Sequence, residues 1–261
     1  MANPRFYCAA PIFANQQLDL PPALAHHVRV RRLEAGDSVV LFDGRGGEIA
    51  GTLSFEGKKT SVLLGEHCPR EAELGGQITL LQALPAGDKM DWIIEKAVEL
   101  GVHTIIPIAA QRSVLKLSGP RLEKRLEHWQ GIIRAASEQC GRNRLLQLSA
   151  PQSLAQALAL APPGQHLLCD PEAPQTLAEH LAATTKAQKK PRALTVALSL
   201  LIGPEGGWSA TETGRGLPTI GLGPQVLRVE TAAMAAGTLL VAMRSGLVLP
   251  PVAPSENAFG G

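Results

Sequence analysis

Two glycine-rich turns late in the chain carry the residue types from which a small-molecule site can be built. The first, Leu201-Ile202-Gly203-Pro204-Glu205-Gly206-Gly207-Trp208-Ser209, ends an apolar run, Ala193–Ile202, that reads as a buried strand. The second, Leu222-Gly223-Pro224-Gln225-Val226-Leu227, leads through Arg228-Val229-Glu230-Thr231 into an alanine-rich helix. Gly203, Gly206 and Gly207 with Pro204 force a tight turn and let a ligand approach the main chain closely. Either turn alone is equally an ordinary Gly-Pro corner. As a pair at strand ends, with a cation and a carboxylate beside them, they form a cradle built mostly of main-chain groups.

Other chemistries find no support. Gly44-Arg45-Gly46-Gly47 falls in a predicted hairpin, not between a strand and a helix, so the dinucleotide-binding fingerprint is absent. There is no Walker A sequence and no G-x-S-x-G elbow, and Ser209 has no evident histidine partner. Metal is not expected: the adjacent His26 and His27 on a predicted helix point in different directions, and no ligand set has zinc spacing. Methyl transfer, a displacement that needs positioning and one deprotonated acceptor, suits such a cradle best.

The elements that must hold these residues fall into two patterns. Over residues 1–72, Ser38–Asp43, Glu48–Ser54 and Thr60–Gly65 read as short strands separated by the hairpin signals Asp43-Gly44-Arg45-Gly46-Gly47 and Glu56-Gly57-Lys58. Pro22–Leu33 reads as a helix carrying His26, His27, Arg29, Arg31 and Arg32. Successive strands with tight turns suggest a small barrel. Cys68–Gly76 looks like a linker. Beyond it strands and helices alternate: strand Gln77–Leu84, helix Lys89–Leu100, strand His103–Ile108 and a long helical region Leu117–Gln139, open to a break at Gly119-Pro120. Helix Ser153–Leu160, strand Gln165–Asp170, helix Gln175–Thr185 and strand Ala193–Ile202 follow. This alternation argues for a parallel α/β sheet with helices on both faces over residues 73–250. Lys186–Arg192 reads as a polar basic loop, and residues 251–261 as a disordered tail.

Composition narrows the setting. The 261-residue chain is 45% hydrophobic, enough for a proper core, and no apolar run approaches the length of a bilayer span. The first residues lack a signal peptide's apolar stretch, and Cys8, Cys68, Cys140 and Cys169 are scattered without a C-x-x-C, so a cytoplasmic protein with reduced thiols is expected. Net charge is only +2, but its distribution is uneven. Between Arg112 and Arg144 lie Arg112, Lys116, Arg121, Lys124, Arg125, Arg134, Arg142 and Arg144 against Glu123, Glu127 and Glu138. Such a local excess attracts a phosphate backbone, although a solvated helix face gives the same pattern. With aromatics at 3%, a base-stacking platform is not expected.

The paired loops resemble the signature of the SPOUT superfamily, the knotted S-adenosylmethionine-dependent RNA methyltransferases, and within it the RsmE-type uridine N3-methyltransferases of small-subunit ribosomal RNA. Gly87-Asp88-Lys89-Met90-Asp91-Trp92-Ile93-Ile94-Glu95-Lys96-Ala97-Val98-Glu99-Leu100-Gly101-Val102 is similar to the family's first helix. Arg112-Ser113-Val114 and Ser137-Glu138-Gln139-Cys140-Gly141-Arg142-Asn143-Arg144 resemble its two RNA-facing segments. Arg5-Phe6-Tyr7 and Leu41-Phe42-Asp43-Gly44-Arg45-Gly46-Gly47-Glu48 match its small first domain, so the likeness covers about residues 4 to 246.

The resemblance implies a PUA-like RNA-binding β-barrel over residues 1–72 and a SPOUT methyltransferase domain, with a C-terminal trefoil knot, over 73–250. Periodicity alone points to no knot. It implies S-adenosylmethionine bound by Asp170, Leu201, Ile202, Gly203, Pro204, Glu205, Gly206, Leu222, Gly223, Val226, Leu227 and Thr231. Arg228 and Glu230 would be catalytic, Arg228 as the cation beside uracil and Glu230 as its orienting carboxylate or the base. Arg29, Arg31, Arg32, Lys89, Arg112, Arg142 and Arg144 would contact RNA. The implied partners are small-subunit ribosomal RNA or the assembled 30S particle, and a second copy of the chain joined at the helix Ala232–Met243. No membrane is implied. Two departures stand out: Ala110-Gln111 where the family usually has Thr-Glu, and Gln225 where it has Arg. A ribose 2′-O-methyltransferase and a non-catalytic RNA-binding assembly factor on the same fold remain the alternatives.

Overall fold

The computed structural model describes residues 3–187 and 196–248. The tail 251–261, most of the basic loop expected over Lys186–Arg192 and the first residues of the strand expected over Ala193–Ile202 lie outside them. Chain contacts define two compact units, one of Met1–Glu73 with Ile133–Leu145, the other of Leu74–Ile132 with Leu146–Gly261.

In the first unit β1 (Arg5–Tyr7), β2 (Gln17–Asp19), α1 (Pro22–Val30), β3 (Ser38–Phe42), β4 (Glu48–Glu56) and β5 (Lys59–Cys68) follow one another. The ladders run in the order β1-β3-β4-β5-β2, and among the described residues none joins β1 to β2. The expected barrel is therefore a five-stranded sheet with two edges. Alternate residues of its strands, Val39 and Leu41, Ile49 and Leu53, Val62 and Leu64, are buried with Phe6 and with Leu24 and Val28 of α1. Pro22 suits the first turn of α1, which ends three residues earlier than expected because Arg32 takes the left-handed conformation at φ 57°. The turn from β3 to β4 needs its glycines: at Gly46, φ 116°, a Cβ would overlap the side chains of Glu71 and Arg144.

The segment expected to face RNA is largely a packing element of this unit. Arg142 is 3% exposed, and its guanidinium grips Glu73 through Nε (3.0 Å) and an NH2 group (2.8 Å). Asn143, also buried, donates to the Arg70 carbonyl and accepts from Arg5, while Glu138 accepts the Tyr7 main-chain N–H at 2.9 Å. The expectation that Arg142 contacts RNA is thus corrected: a guanidinium closed over its own carboxylate has no face left for a phosphate. Breaking a buried pair by removing one partner costs about 3–5 kcal/mol. Arg142→Met should therefore lower the urea midpoint of unfolding by a comparable stability loss, whereas an unchanged midpoint would show that the pair is not structural.

The second unit alternates as expected: β6 (Ile78–Ala83), α2 (Lys89–Glu99), β7 (Thr104–Ile108), α3 (Gly119–Cys140, whose residues from Ile133 on belong to the first unit), β8 (Gln147–Leu148), α4 (Leu154–Leu160) and β9 (Gln165–Cys169). It continues with α5 (Leu177–Ala187), β10 (Leu198–Ile202), α6 (Ala210–Thr213), β11 (Thr219–Ile220) and α7 (Val229–Arg244). All six strands are parallel, in the order β11-β9-β10-β6-β7-β8. Every residue of β6 and β10 is buried, which is why those runs are mostly apolar rather than alternating, with Thr79, Gln82 and Ser199 as their buried polar members. Gly119-Pro120 starts α3 instead of breaking it, since proline is tolerated only in a first turn. A capping box between Ser153 and Gln156 fixes the start of α4.

Helix α7 packs against α2 and β10. Val229, Ala233, Ala236, Gly237, Leu240 and Met243 form its buried stripe, with Ala236 at 0% exposure. Its small residues thus serve intrachain packing on one face. No helix of the described residues is long and apolar enough to cross a membrane, and none of their His, Cys, Asp and Glu side chains group as metal ligands.

Candidate active site

A cavity of about 710 Å³ opens beyond the carboxyl ends of the parallel strands. The segments following five of them line it: Lys89 after β6, Arg112 after β7, Asp170 to Glu172 after β9, Ile202 to Glu205 after β10, and Leu222 to Arg228 after β11. Ligands of open α/β sheets bind in this position, because the loops there are free of ladder pairing while the strands beneath are rigid.

Of the residues expected to hold a cofactor, Asp170, Ile202, Gly203, Pro204, Glu205, Leu222, Gly223, Val226 and Leu227 line the cavity. Leu201, Gly206 and Thr231 do not. Leu201 alternates inward into the core around Ile106 and Leu168, Gly206 turns its main chain to Arg112, and Thr231 is exposed on α7. The wall also contains Trp208, Cys169 and Ala232. Burial pushes the Cys169 thiol up to about 12, so it is a neutral wall group. Trp208 was visible in the motif only as a neighbour of the glycines. Its indole packs on the core, while its buried N–H has no partner among the described residues.

The first loop is tied down on both flanks. The Glu205 carboxylate accepts from the Ala86 main-chain N–H (3.1 Å) and from the Lys89 ammonium (2.8 Å). Arg112 donates to the Gly206 carbonyl at 3.0 Å. Glu212, buried at the N3 position of α6, accepts from Ser209 and from the Gln111 main-chain N–H at 3.1 Å. Lys89 and Arg112, expected at RNA, are therefore cavity-wall residues bonded to the first loop.

Burial pushes the Glu205 carboxyl up, but the hydrogen bonds from Lys89 and Ala86 and the lysine charge outweigh it and hold it below the usual value. The hydrogen bond to Glu205, aided by the charges of Glu205 and Glu230, raises Lys89. A lowered carboxyl stabilises the fold above its ordinary 4.5 and loses that contribution as pH falls through the lowered value. A raised lysine does so below its ordinary 10.5 and loses it as pH climbs through the raised value. The tie is intact between those limits.

Arg228 is the exposed N-cap of α7, with extended backbone, and its guanidinium has no ion pair or hydrogen bond among the described residues. Glu230 does not orient it. The Glu230 carboxylate instead lies 3.5 Å from the Lys89 ammonium, because residues two apart at a helix start face different directions. Elsewhere, Arg29 donates to Gly57 and Thr60, and Arg31 lies over the Phe6 ring at 5.4 Å. Arg31 and Arg32 are exposed, and Arg144 is half exposed, 3.4 Å from Glu71.

The contents of the cavity fit S-adenosylmethionine. Its volume is that of a small-molecule site, its walls mix apolar side chains with exposed main chain, and it offers an unpartnered buried donor at Trp208. Residues 71–241 match the family of RNA methyltransferase domains, and residues 20–64 that of RNA methyltransferase PUA domains. The chain is 33% identical to the ribosomal RNA small subunit methyltransferase E of Bacillus subtilis over 230 residues, 83% of this chain and 89% of that protein. It is also 33% identical to the protein of that name from Synechocystis over 220 residues, 82% and 69% of the two chains. The structure of a ribosomal RNA small subunit methyltransferase E from Neisseria gonorrhoeae bound to S-adenosylmethionine superposes with a TM-score of 0.80 at 30% identity, covering 94% of this chain and 98% of that one. Fold, cavity and domain matches together define an RNA methyltransferase carrying a PUA domain. Within that class, the chain belongs to the ribosomal RNA small subunit methyltransferase E family.

Proposed function

We propose that this protein transfers a methyl group from S-adenosylmethionine to N3 of one uridine in small-subunit ribosomal RNA. Bound in the cavity, the cofactor supplies an electrophilic methyl group. The residues that would hold it are Ile202, Gly203 and Pro204 of the first loop, Leu222, Gly223, Val226 and Leu227 of the second, and Asp170. The observation that carries the reading is the unpaired Arg228 guanidinium in the wall of a cavity lined by both loops. Uracil N3–H is a weak acid, and a cation beside it stabilises the anion left when the proton departs. Nucleoside mass spectrometry of ribosomal RNA from cells lacking the protein tests this directly. Loss of one N3-methyluridine supports it, and an unchanged complement with loss of a 2′-O-methyl nucleoside overturns it.

The same reading includes two domains, residues 1–72 and 73–250, a trefoil knot and a cytoplasmic site of action. The late strand β10 lying between β6 and β9 supports the knot. RNA would be held by the exposed Arg31, Arg32 and Arg144. Each phosphate contact removed lowers the salt slope of binding by about one. The double charge reversal Arg31→Glu, Arg32→Glu should therefore flatten the salt dependence of 30S binding by about two, and an unchanged slope would leave these arginines as a solvated face.

The reading also includes a homodimer at α7. Because Ala236 is wholly buried within its own chain, a charge there would disturb the fold itself. The outward stripe of Ala235 and the exposed Thr238 is the surface to probe. Thr238→Arg should shift the protein to monomer in sedimentation, since burying an unpaired charge is costly. A wild-type protein that sediments as a monomer at high concentration would refute the dimer.

A further inference from the structure

One ammonium group reaches both the first cofactor loop and the helix start that follows the second. Lys89 opens α2, and its Nζ lies 2.8 Å from Glu205 of the first loop and 3.5 Å from Glu230, two residues beyond Arg228 and the second loop. Glu205 has a second donor in the Ala86 N–H, but Oε2 of Glu230 is buried and accepts no hydrogen bond among the described residues. The charge of Lys89 is thus what that carboxylate oxygen depends on. The other charged groups around the cavity are engaged elsewhere or lie apart. Asp88 pairs with Arg125 of α3, Arg112 donates to Gly206, Asp170 accepts the Glu172 N–H, and Arg228 forms no pair among the described residues.

We propose that Lys89 is a positioning residue of the methyl-transfer site, whose ammonium ties Glu230 at the start of α7 to Glu205 of the Gly-Pro-Glu-Gly-Gly loop. This rests on the function proposed above. Without the ammonium, Glu205 and Glu230 repel one another across the gap, and the first loop and the start of α7 lose their common anchor. A lysine contacting RNA phosphate would do neither.

The test uses the full-length apoprotein, with amide hydrogen exchange followed over the second loop and the start of α7, residues 222–232. In Lys89→Met exchange over this segment should quicken by roughly tenfold, because the start of α7 loses its tie to the first loop, and in Lys89→Arg it should return toward the wild-type rate. Calorimetry with S-adenosylmethionine should show roughly tenfold weaker binding in Lys89→Met and recovery in Lys89→Arg, the loss of about one charged contact. Lys89→Gln, which keeps much of the side chain's length and polarity, serves if the methionine variant does not fold. Unchanged exchange with wild-type cofactor affinity overturns the proposal, as does a change confined to the salt slope of RNA binding. Wild-type protein that fails to bind the cofactor would instead sink the methyltransferase reading, while the apoprotein exchange would still report on Lys89.

Discussion

Arg228→Ala is expected to slow methylation at saturating S-adenosylmethionine by roughly 10²- to 10³-fold, the usual consequence of removing one preorganised group that stabilises developing charge. Cofactor affinity should change little, because the second loop is shaped by Gly223, Val226 and Leu227 and not by the arginine that follows them. The mutation removes no internal contact: the side chain is exposed, and its guanidinium is bonded to nothing among the described residues. A general loss of stability is therefore not the expected cause. The pH dependence distinguishes the mechanism. Raising the pH ionises more of the uracil before it meets the enzyme, so the variant should recover part of its rate in alkaline solution while the wild type gains less. Single-turnover rates across the pH range measure this, and near-wild-type turnover of the variant at neutral pH would refute the role given to Arg228.

Gly203→Val should weaken S-adenosylmethionine binding by roughly 10- to 100-fold, the equivalent of the 1–3 kcal/mol by which overpacking acts in a filled site. A Cβ at Gly203 would stand 3.1 Å from the Trp208 Nε1 and 3.3 Å from Cδ1 and Cε2 of the same ring. The two methyl groups of valine extend further, and the indole cannot retreat, being packed on the core around Ile108 and Leu201. It must move within the cavity wall that it forms. Isothermal calorimetry on the folded variant decides the matter, and unchanged affinity would remove Gly203 from the binding surface.

Much of the second unit was legible in the chain itself, because local rules act there without help from distant residues. Apolar runs such as Ile78–Ala83 become strands buried on both faces, Lys89–Glu99 has helical spacing, and glycine with proline after Ile202 permits little except a turn. The two loops belong at one end of the sheet because parallel strands send all their carboxyl-terminal loops to the same edge. Short elements escaped for the opposite reason. β1, β2, β8 and β11 have two or three residues each, too few to show a period, and exist only because a neighbouring strand supplies their hydrogen bonds.

The partners of the charged side chains were decided by tertiary structure alone. In sequence, Arg142 and Arg144 are two arginines of one basic segment; folding buries the first against Glu73, 69 residues away, and leaves the second half exposed. Lys89 stands in the same position of ambiguity, and only packing brings it to Glu205, 116 residues along the chain. Glu230 follows its expected partner, Arg228, by only two positions, yet the helix turns it toward Lys89. A charge carries no local signal of what will neutralise it. Backbone turns and apolar periods are set by a residue and its near neighbours, whereas a charge's pairing depends on which surfaces meet after the chain has closed, and that distance is written only in three dimensions.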